Sequence, residues 1–388
     1  MKDELIIQER DRCYSVCSDR RILIKYHWHI GEDLTIPEGI EVIGAFALSN
    51  MTHITQVHIP QSILKIGRGA FCGCTSLKSV IFRSTSHLVT LDYQTFWKCY
   101  SLESINLPNN IETIPEGCFE DCRSIQQIIL PNKLKQICKY SFKGCKNTQA
   151  LFIGAEVDNI SSNAFDEMKN LSSIIVHSDN PKFSSFYGIL FENESIHRIP
   201  EAFNCMGDKV KEMNIVLKYA INKCNAFMEG AFRNTNIQYL YIPKTIRTIS
   251  YKAFEGCVHL KEIHFQEGIQ IGFIGWRTFG NCYNLKTIVL PHGVGIVGHN
   301  AFENCTSLKV VYLPSSVWRI KHDAFCACKN LRAIVFAKLK EHERHLEKTT
   351  HISLPNEDCK IIIPKDEKEY FQEVFKENVT SIYPHPIL

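Results

Sequence analysis

The sequence predicts an α/β-type solenoid: short parallel strands stacked side by side, joined by turns and short helical or 3₁₀ segments, in a single elongated curved body. Three observations predict it. An Ala-Phe-like pair recurs, its Phe at Phe71, Phe96, Phe119, Phe142 and Phe165 and again at Phe232, Phe254, Phe279, Phe302 and Phe325, most steps being 23 residues. Each step carries the same apolar frame, Leu-x-x-Ile-x-Leu-Pro-x-x-Ile-x-x-Ile, as in LKTIVLPHGVGIVGHNAF at 285–302. A cysteine follows most of these Phe residues by three positions. A fixed period in the twenties marks a solenoid, whose units bury their apolar faces only against their neighbours.

One unit shows how the frame works. Ile105-Asn106-Leu107 alternates at period two, so it reads as a short strand with two side chains inward and one outward. Pro108 has no N–H for a further ladder bond and ends that strand. Ile111 and Ile114 point inward from an extended segment or tight turn, and Phe119 and Cys122 sit three apart, as on a 3₁₀ or short helical turn. The expected core is therefore a double ladder: Phe71 with Cys74, Phe96 with Cys99, Phe119 with Cys122, Phe142 with Cys145, Phe254 with Cys257, Phe279 with Cys282, Phe302 with Cys305, and Phe325 with Cys328. Met168 and Thr235 take the cysteine's place in two coils, so size and burial explain the column better than thiolate chemistry.

The frame divides the chain. Residues 1–33 do not follow it and are expected to form a capping hairpin or strand. Regular repeats fill 34–176 and 232–336. Between them, 177–231 is irregular: a turn leads into a strand over 189–191, another strand runs to Pro200, and a loop or bent coil follows over 202–231. The 67 residues from Phe165 to Phe232 leave room for two degenerate coils, giving about 12 in all. Residues 337–388 hold a charged insertion (KLKEHERHLEK, 338–348), a last strand at 361–363, and Tyr370, Phe371, Val374 and Phe375 at the helical spacing of a C-terminal cap.

Composition narrows the function. A charge of +3 from 44 basic and 41 acidic residues gives no field for broad capture of nucleic acid or anionic membrane, and neither partner is expected. No run reaches the ~18–20 apolar residues of a membrane span, so no membrane insertion is expected. The opening MKDELIIQERDRCYSVCSDRR lacks a signal peptide's apolar core. With 17 cysteines, many at one repeat position, this points to a reducing compartment. No phosphate loop, H-E-x-x-H or G-x-S-x-G motif occurs, and the frame has no catalytic position. No enzyme and no cofactor are therefore expected, the alternative being a site in the irregular centre. No metal is expected either. The one alternative cluster, Cys13, Cys17, His27 and His29, has tetrahedral zinc donors but is more simply read as the inside and surface of capping strands.

The free information lies in the outward residue of each strand: His58, Ile81, Asn106, Ile129, Ile175, Tyr241, His264, Val289, Tyr312 and Val335. β propensity explains part of this apolar column, and recognition explains the rest, because aromatic anchors and extended apolar patches mark interfaces. Tyr241, His264 and Tyr312, with His58 and Asn106 as polar members, are the candidate binding residues. The reading is a non-catalytic scaffold for a protein partner. Glycan capture is the alternative.

The units resemble those of BspA-like leucine-rich repeat proteins, I-x-I-P-x-x-I-x-x-I-x-x-x-A-F-x-x-C-x-x-L. The likeness is carried by Ile59-Pro60, Ile63, Ile66, Ala70-Phe71, Cys74 and Leu77, and again by Ile242-Pro243, Ile246, Ile249, Ala253-Phe254, Cys257 and Leu260. It covers roughly 34–336, and NPKFSSFYGILF at 180–191 is similar to the unit that interrupts such arrays. The resemblance implies a leucine-rich repeat solenoid. It also implies a surface or secreted protein that adheres to host proteins, matrix or other microbes, against the compartment that the cysteines suggest.

Overall fold

In the computed structural model, described for residues 4–203, 210–338, 354–364, 367, 369–371 and 383–385, the chain is a β-solenoid of about 14 turns. It forms two compact units, Met1–Leu190 and Phe191–Leu388.

The first unit opens with β1 (Glu4–Gln8), β2 (Arg12–Cys17) and β3 (Ile22–His29), paired antiparallel. β3 then takes Val42–Ile43 as a parallel neighbour, and every later ladder between coils of this unit is parallel. The meander thus covers the edge of the first coil, which would otherwise expose unpaired backbone groups.

Each regular coil has three sides. The long side is a strand such as Gln56–Ile59, Ser79–Phe82, Ser104–Asn106 or Gln127–Ile129, in register so that Val57 faces Val80 and Ile105 faces Ile128. The second is a two-residue strand: Lys65–Ile66 pairs with Thr90–Leu91, and Thr113–Ile114 with Gln136–Ile137. The third is an arc that carries the Phe and Cys residues.

That arc corrects an expectation. It is a chain of reverse turns rather than a 3₁₀ or α segment. Trp97 N donates to Gln94 O, Cys99 N to Phe96 O and Leu102 N to Cys99 O, while Gln94 and Lys98 hold positive φ of 58° and 60°. Gly69 and Gly73, Gly117 and Asp121, and Asn300 and Asn304 are left-handed at the same two places, two residues before and after each Phe. A helix needs consecutive right-handed residues, so these two positions open it into a wide arc. The freed amides bond to the next coil instead: Phe96 N to Cys118 O at 2.8 Å and Lys98 N to Glu120 O at 2.9 Å. The α component is accordingly small. Among the described residues the α-helical segments are α1, Val210–Asn222, and a short stretch over 369–371.

Inside each unit the arcs stack their rings. Phe71, Phe96, Phe119 and Phe142 follow one another with centroids 5.3, 5.3 and 5.6 Å apart and planes within 9°. Phe254, Phe279, Phe302 and Phe325 repeat this at 5.2, 5.3 and 5.5 Å. All eight are fully buried. The cysteine ladder does more than fill space. Cys122 Sγ donates to Phe96 O at 3.1 Å and Cys305 Sγ to Phe279 O at 3.1 Å, and the same bond recurs from Cys74, Cys99, Cys145, Cys257, Cys282 and Cys328 to the preceding coil. The thiol is small enough for the arc's interior and still supplies a donor to a second carbonyl lone pair.

In the second unit the long strands Thr287–Val289, Val310–Leu313, Ala333–Phe336, Lys360–Pro364 and Tyr383–His385 form one parallel sheet. Its last two strands lie beyond the final Phe marker, which is one reason the turns number about 14 and not 12. Phe371 is buried with its ring 5.0 Å from that of Phe336. Val374, Phe375 and residues 339–348 of the charged insertion lie outside the described residues.

The irregular centre also differs from expectation. Phe183–Phe186 and Ile189–Glu192 are joined by Tyr187 and Gly188, both with positive φ, as a tight hairpin requires. The loop expected after Pro200 contains α1, whose Leu217, Ala220 and Ile221 are buried while Ile215 and Tyr219 are exposed. In the same region of the chain Arg198, almost fully buried, donates to Gly230 O at 3.1 Å and to Glu201 Oε1 at 3.3 Å.

Candidate functional site

The long strands present their alternate residues to solvent, and the parallel register turns these into columns. In the first unit His58 stands beside Ile81, Asn106 beside Ile129, and Phe152 beside Ile175. In the second unit Tyr241 stands beside His264, and Tyr312 lies between Val289 and Val335. All five candidate binding residues therefore occupy the outward column, two in one unit and three in the other. Phe152, 51% exposed between Ile129 at 49% and Ile175 at 47%, was missed because Thr148 stands where the frame has its leading Leu, although the strand keeps the 23-residue step. Its neighbours at 23-residue spacing would have found it.

The polar members are held locally. His58 Nε2 lies 2.8 Å from Gln56 Nε2, and His264 Nε2 lies 3.3 Å from Glu262 Oε2. His58, Thr35, Ile81 and Arg83 line a shallow groove of about 250 Å³ in which Arg83 pairs with Glu38 at 3.1 Å.

The structure does not assemble the four zinc-type donors near the N-terminus. Cys17 Sγ donates to Asp19 Oδ1 at 2.6 Å, a ring nitrogen of His29 lies 2.9 Å from Asp33 O, and His27 is exposed. Cys13 is buried opposite Trp28. Among the described residues the three-donor cluster lies elsewhere, at His299, His322 and Asp323.

Every cysteine among the described residues is a free thiol. Burial pushes the thiols of Cys74, Cys118, Cys122, Cys282 and Cys305 well above the ordinary range, and that of Cys257 up to about 12. A thiol that holds its proton at neutral pH is neither a nucleophile nor a ready metal ligand. Of the two Cys-x-Cys pairs, Cys74 and Cys328 are buried, while Cys72 is half-buried and Cys326 exposed.

A second surface feature lies on the arc side of the second unit. The residue three before each Phe forms another exposed column: Tyr251, Trp276, His299 and His322. Tyr251, Phe273 and Trp276 line a groove of about 330 Å³ with Gly275, Gly298, His299 and Lys321. Lys252 Nζ lies 4.4 Å from the Trp276 ring centroid. Gly275 makes the groove possible, since a Cβ there would sit 2.4 Å from the Tyr251 ring. The period that defines the core could have found this column too, but the polar and aromatic mixture at the position hid it.

Among the described residues no helix is long and apolar enough to cross a membrane. A family model for the BspA type leucine rich repeat region matches residues 27–93, 89–210 and 225–346. No curated protein matches the sequence. Among solved structures, the pneumococcal vaccine antigen PcpA is 20% identical with a TM-score of 0.77, covering 100% of both chains. A leucine rich cell surface protein from Faecalibacterium prausnitzii A2-165 is 22% identical with a TM-score of 0.66, over 89% of this chain and 98% of that one. A leucine-rich repeat protein from Bacteroides ovatus is 19% identical with a TM-score of 0.57, over 99% and 98%. These likenesses show a shared fold. With the repeat frame, the ladders and the family match over most of its length, the chain belongs to the BspA-type leucine-rich repeat family.

Proposed function

We propose that the chain is a non-catalytic scaffold that binds a protein partner through the outward face of its long strands. One observation carries this reading. The same strands of the first unit expose two columns, and one is mainly apolar. His58, Ile81, Asn106, Ile129, Phe152 and Ile175 stand in the first, four of the six being apolar, whereas Gln56, Ser79, Ser104, Gln127, Ala150 and Ser173 stand two residues earlier. β propensity acts on both columns alike, so it does not account for the difference; a contact surface with an apolar centre and polar flank does. Tyr239, Tyr241 and Val289, each at least half exposed, supply the anchors of the second unit. One neighbour in fold is described as a cell surface protein, a setting in which such a face meets proteins of other cells.

The test is capture of surface proteins from host and microbial extracts. Wild type is compared with Ile129→Ser/Phe152→Ser/Ile175→Ser and with Tyr241→Ser/His264→Ser/Tyr312→Ser. These residues are partly exposed, so both variants should fold and lose a captured protein. Undiminished capture by both variants would sink the strand-face reading.

Glycan capture is a second reading, favoured by the groove of Tyr251, Phe273 and Trp276 with His299 and Lys321 at its polar end. Flat aromatic walls beside a few polar groups suit sugar rings. Glycan-array binding that survives both strand-face variants and is lost in Trp276→Ala would favour this reading.

A further inference from the structure

We propose that His299, His322 and Asp323 bind a divalent transition-metal ion of the zinc, cobalt and nickel class. One donor atom from each side chain lies within 4.8 Å of the other two, and His299 Nδ1 is already 2.8 Å from Asp323 Oδ1. Three donors around a tetrahedral ion, at bond lengths of about 2.0–2.1 Å, stand roughly 3.3–3.5 Å apart. Small rotations of two exposed imidazoles reach that spacing. The donors also decide the class of ion. Two imidazoles and one carboxylate suit zinc, cobalt or nickel, whereas calcium and magnesium take mainly oxygen ligands.

The backbone holds the site's spacing. His299 and His322 each stand three residues before a core Phe, on adjacent coils. Those coils are locked by the bond from Phe302 N to Ala324 O at 2.8 Å and by rings stacked at 5.5 Å. The two imidazoles are thus brought together by the period that builds the core, and the third donor follows His322 directly. Little order has to be created when an ion binds, which limits the entropy cost.

His299 also lines the groove that holds Trp276, Gly298 and Lys321. Three protein donors leave a fourth position for water or an incoming ligand. Gly298 keeps the groove floor low, since a Cβ there would come within 3.1 Å of the Gly275 backbone. The ammonium of Lys321 favours an anionic fourth ligand, such as a carboxylate. The site can therefore act as a metal-dependent contact point on the arc side, separate from the strand face.

The experiment uses the untagged full chain. Isothermal titration with ZnCl₂ should show one saturable equivalent, and CoCl₂ should give the visible bands of a tetrahedral nitrogen–oxygen site. His322→Ala and Asp323→Asn should each weaken zinc binding about tenfold or more, while substitution of an exposed histidine with no assigned role, His87→Ala, leaves it unchanged. Metal-free melting curves of the variants should match wild type, and the cobalt spectrum of wild type tests the ligands even if a variant unfolds. Absence of saturable binding would overturn the proposal. So would equal affinity in every variant, or a cobalt–thiolate charge-transfer band that places the ion on cysteines.

Discussion

Phe119→Ala probes how the ring ladder holds the coils together. Phe119 is fully buried, with Phe96 stacked 5.3 Å away on one side and Phe142 5.6 Å away on the other. Truncating such a side chain costs about 3–5 kcal/mol, because transfer energy is lost and the cavity closes only in part. Each stacked neighbour adds about 0.5–1.5 kcal/mol beyond burial. Phe71 is the internal control. It stacks on Phe96, while the corresponding residue of the preceding coil is Leu48. Phe71→Ala should therefore cost less than Phe119→Ala by about 0.5–1.5 kcal/mol. Urea unfolding followed by circular dichroism reads both. With a slope of about 3 kcal/mol per molar, the Phe119→Ala midpoint should fall by about 1 M or more. A midpoint close to wild type, or a Phe71→Ala cost equal to that of Phe119→Ala, would refute the stacked-ladder account.

Other parts of the coil give further tests. Ala327 holds φ of 58° at the arc position that Gly73, Gly144 and Gly256 hold elsewhere, so Ala327→Gly should raise stability by roughly 0.5–1 kcal/mol in the same urea assay. Gly256→Ala should lower it by about 1–2 kcal/mol, since its Cβ would sit 2.1 Å from Asn234 Oδ1, which belongs to the Glu201–Arg198 network. The buried thiols set a pH dependence. For Cys74, Cys118, Cys122, Cys257, Cys282 and Cys305 the folded pKa lies above the unfolded value near 8.5, so their contribution is intact below about pH 8.5 and is lost as pH rises toward 12, the value of Cys257. The urea midpoint should fall between pH 8 and 10, and Cys257→Thr should flatten the fall. In native protein a thiol reagent should modify exposed Cys326 quickly and buried Cys122 only on unfolding.

The core was legible because it repeats. Phe71 through Phe325 and their cysteines share one offset, and averaging over coils removes local noise. The arc was less legible. Glycine marks its left-handed positions at Gly69, Gly73 and Gly117, but Gln94, Lys98, Tyr140 and Ala327 adopt the same conformation with no special residue type. There the inter-coil bonds, not local propensity, impose the backbone. α1 was hidden for the opposite reason: its buried stripe of Leu217, Ala220 and Ile221 is short and falls in a gap close to three periods long. The strand-face residues could be placed from the period alone. His299, His322 and Asp323 could not be recognised as a cluster without knowing that the arc aligns their side chains as well as their backbones.

The most direct test of the strand-face account is a photo-crosslinking amino acid placed at position 152 or 241, compared with position 65 or 136 on the short strands. All four positions are exposed. In the presence of captured surface protein, the account predicts covalent adducts from 152 and 241 and little from 65 and 136. Adducts that form only from 65 and 136 would contradict it.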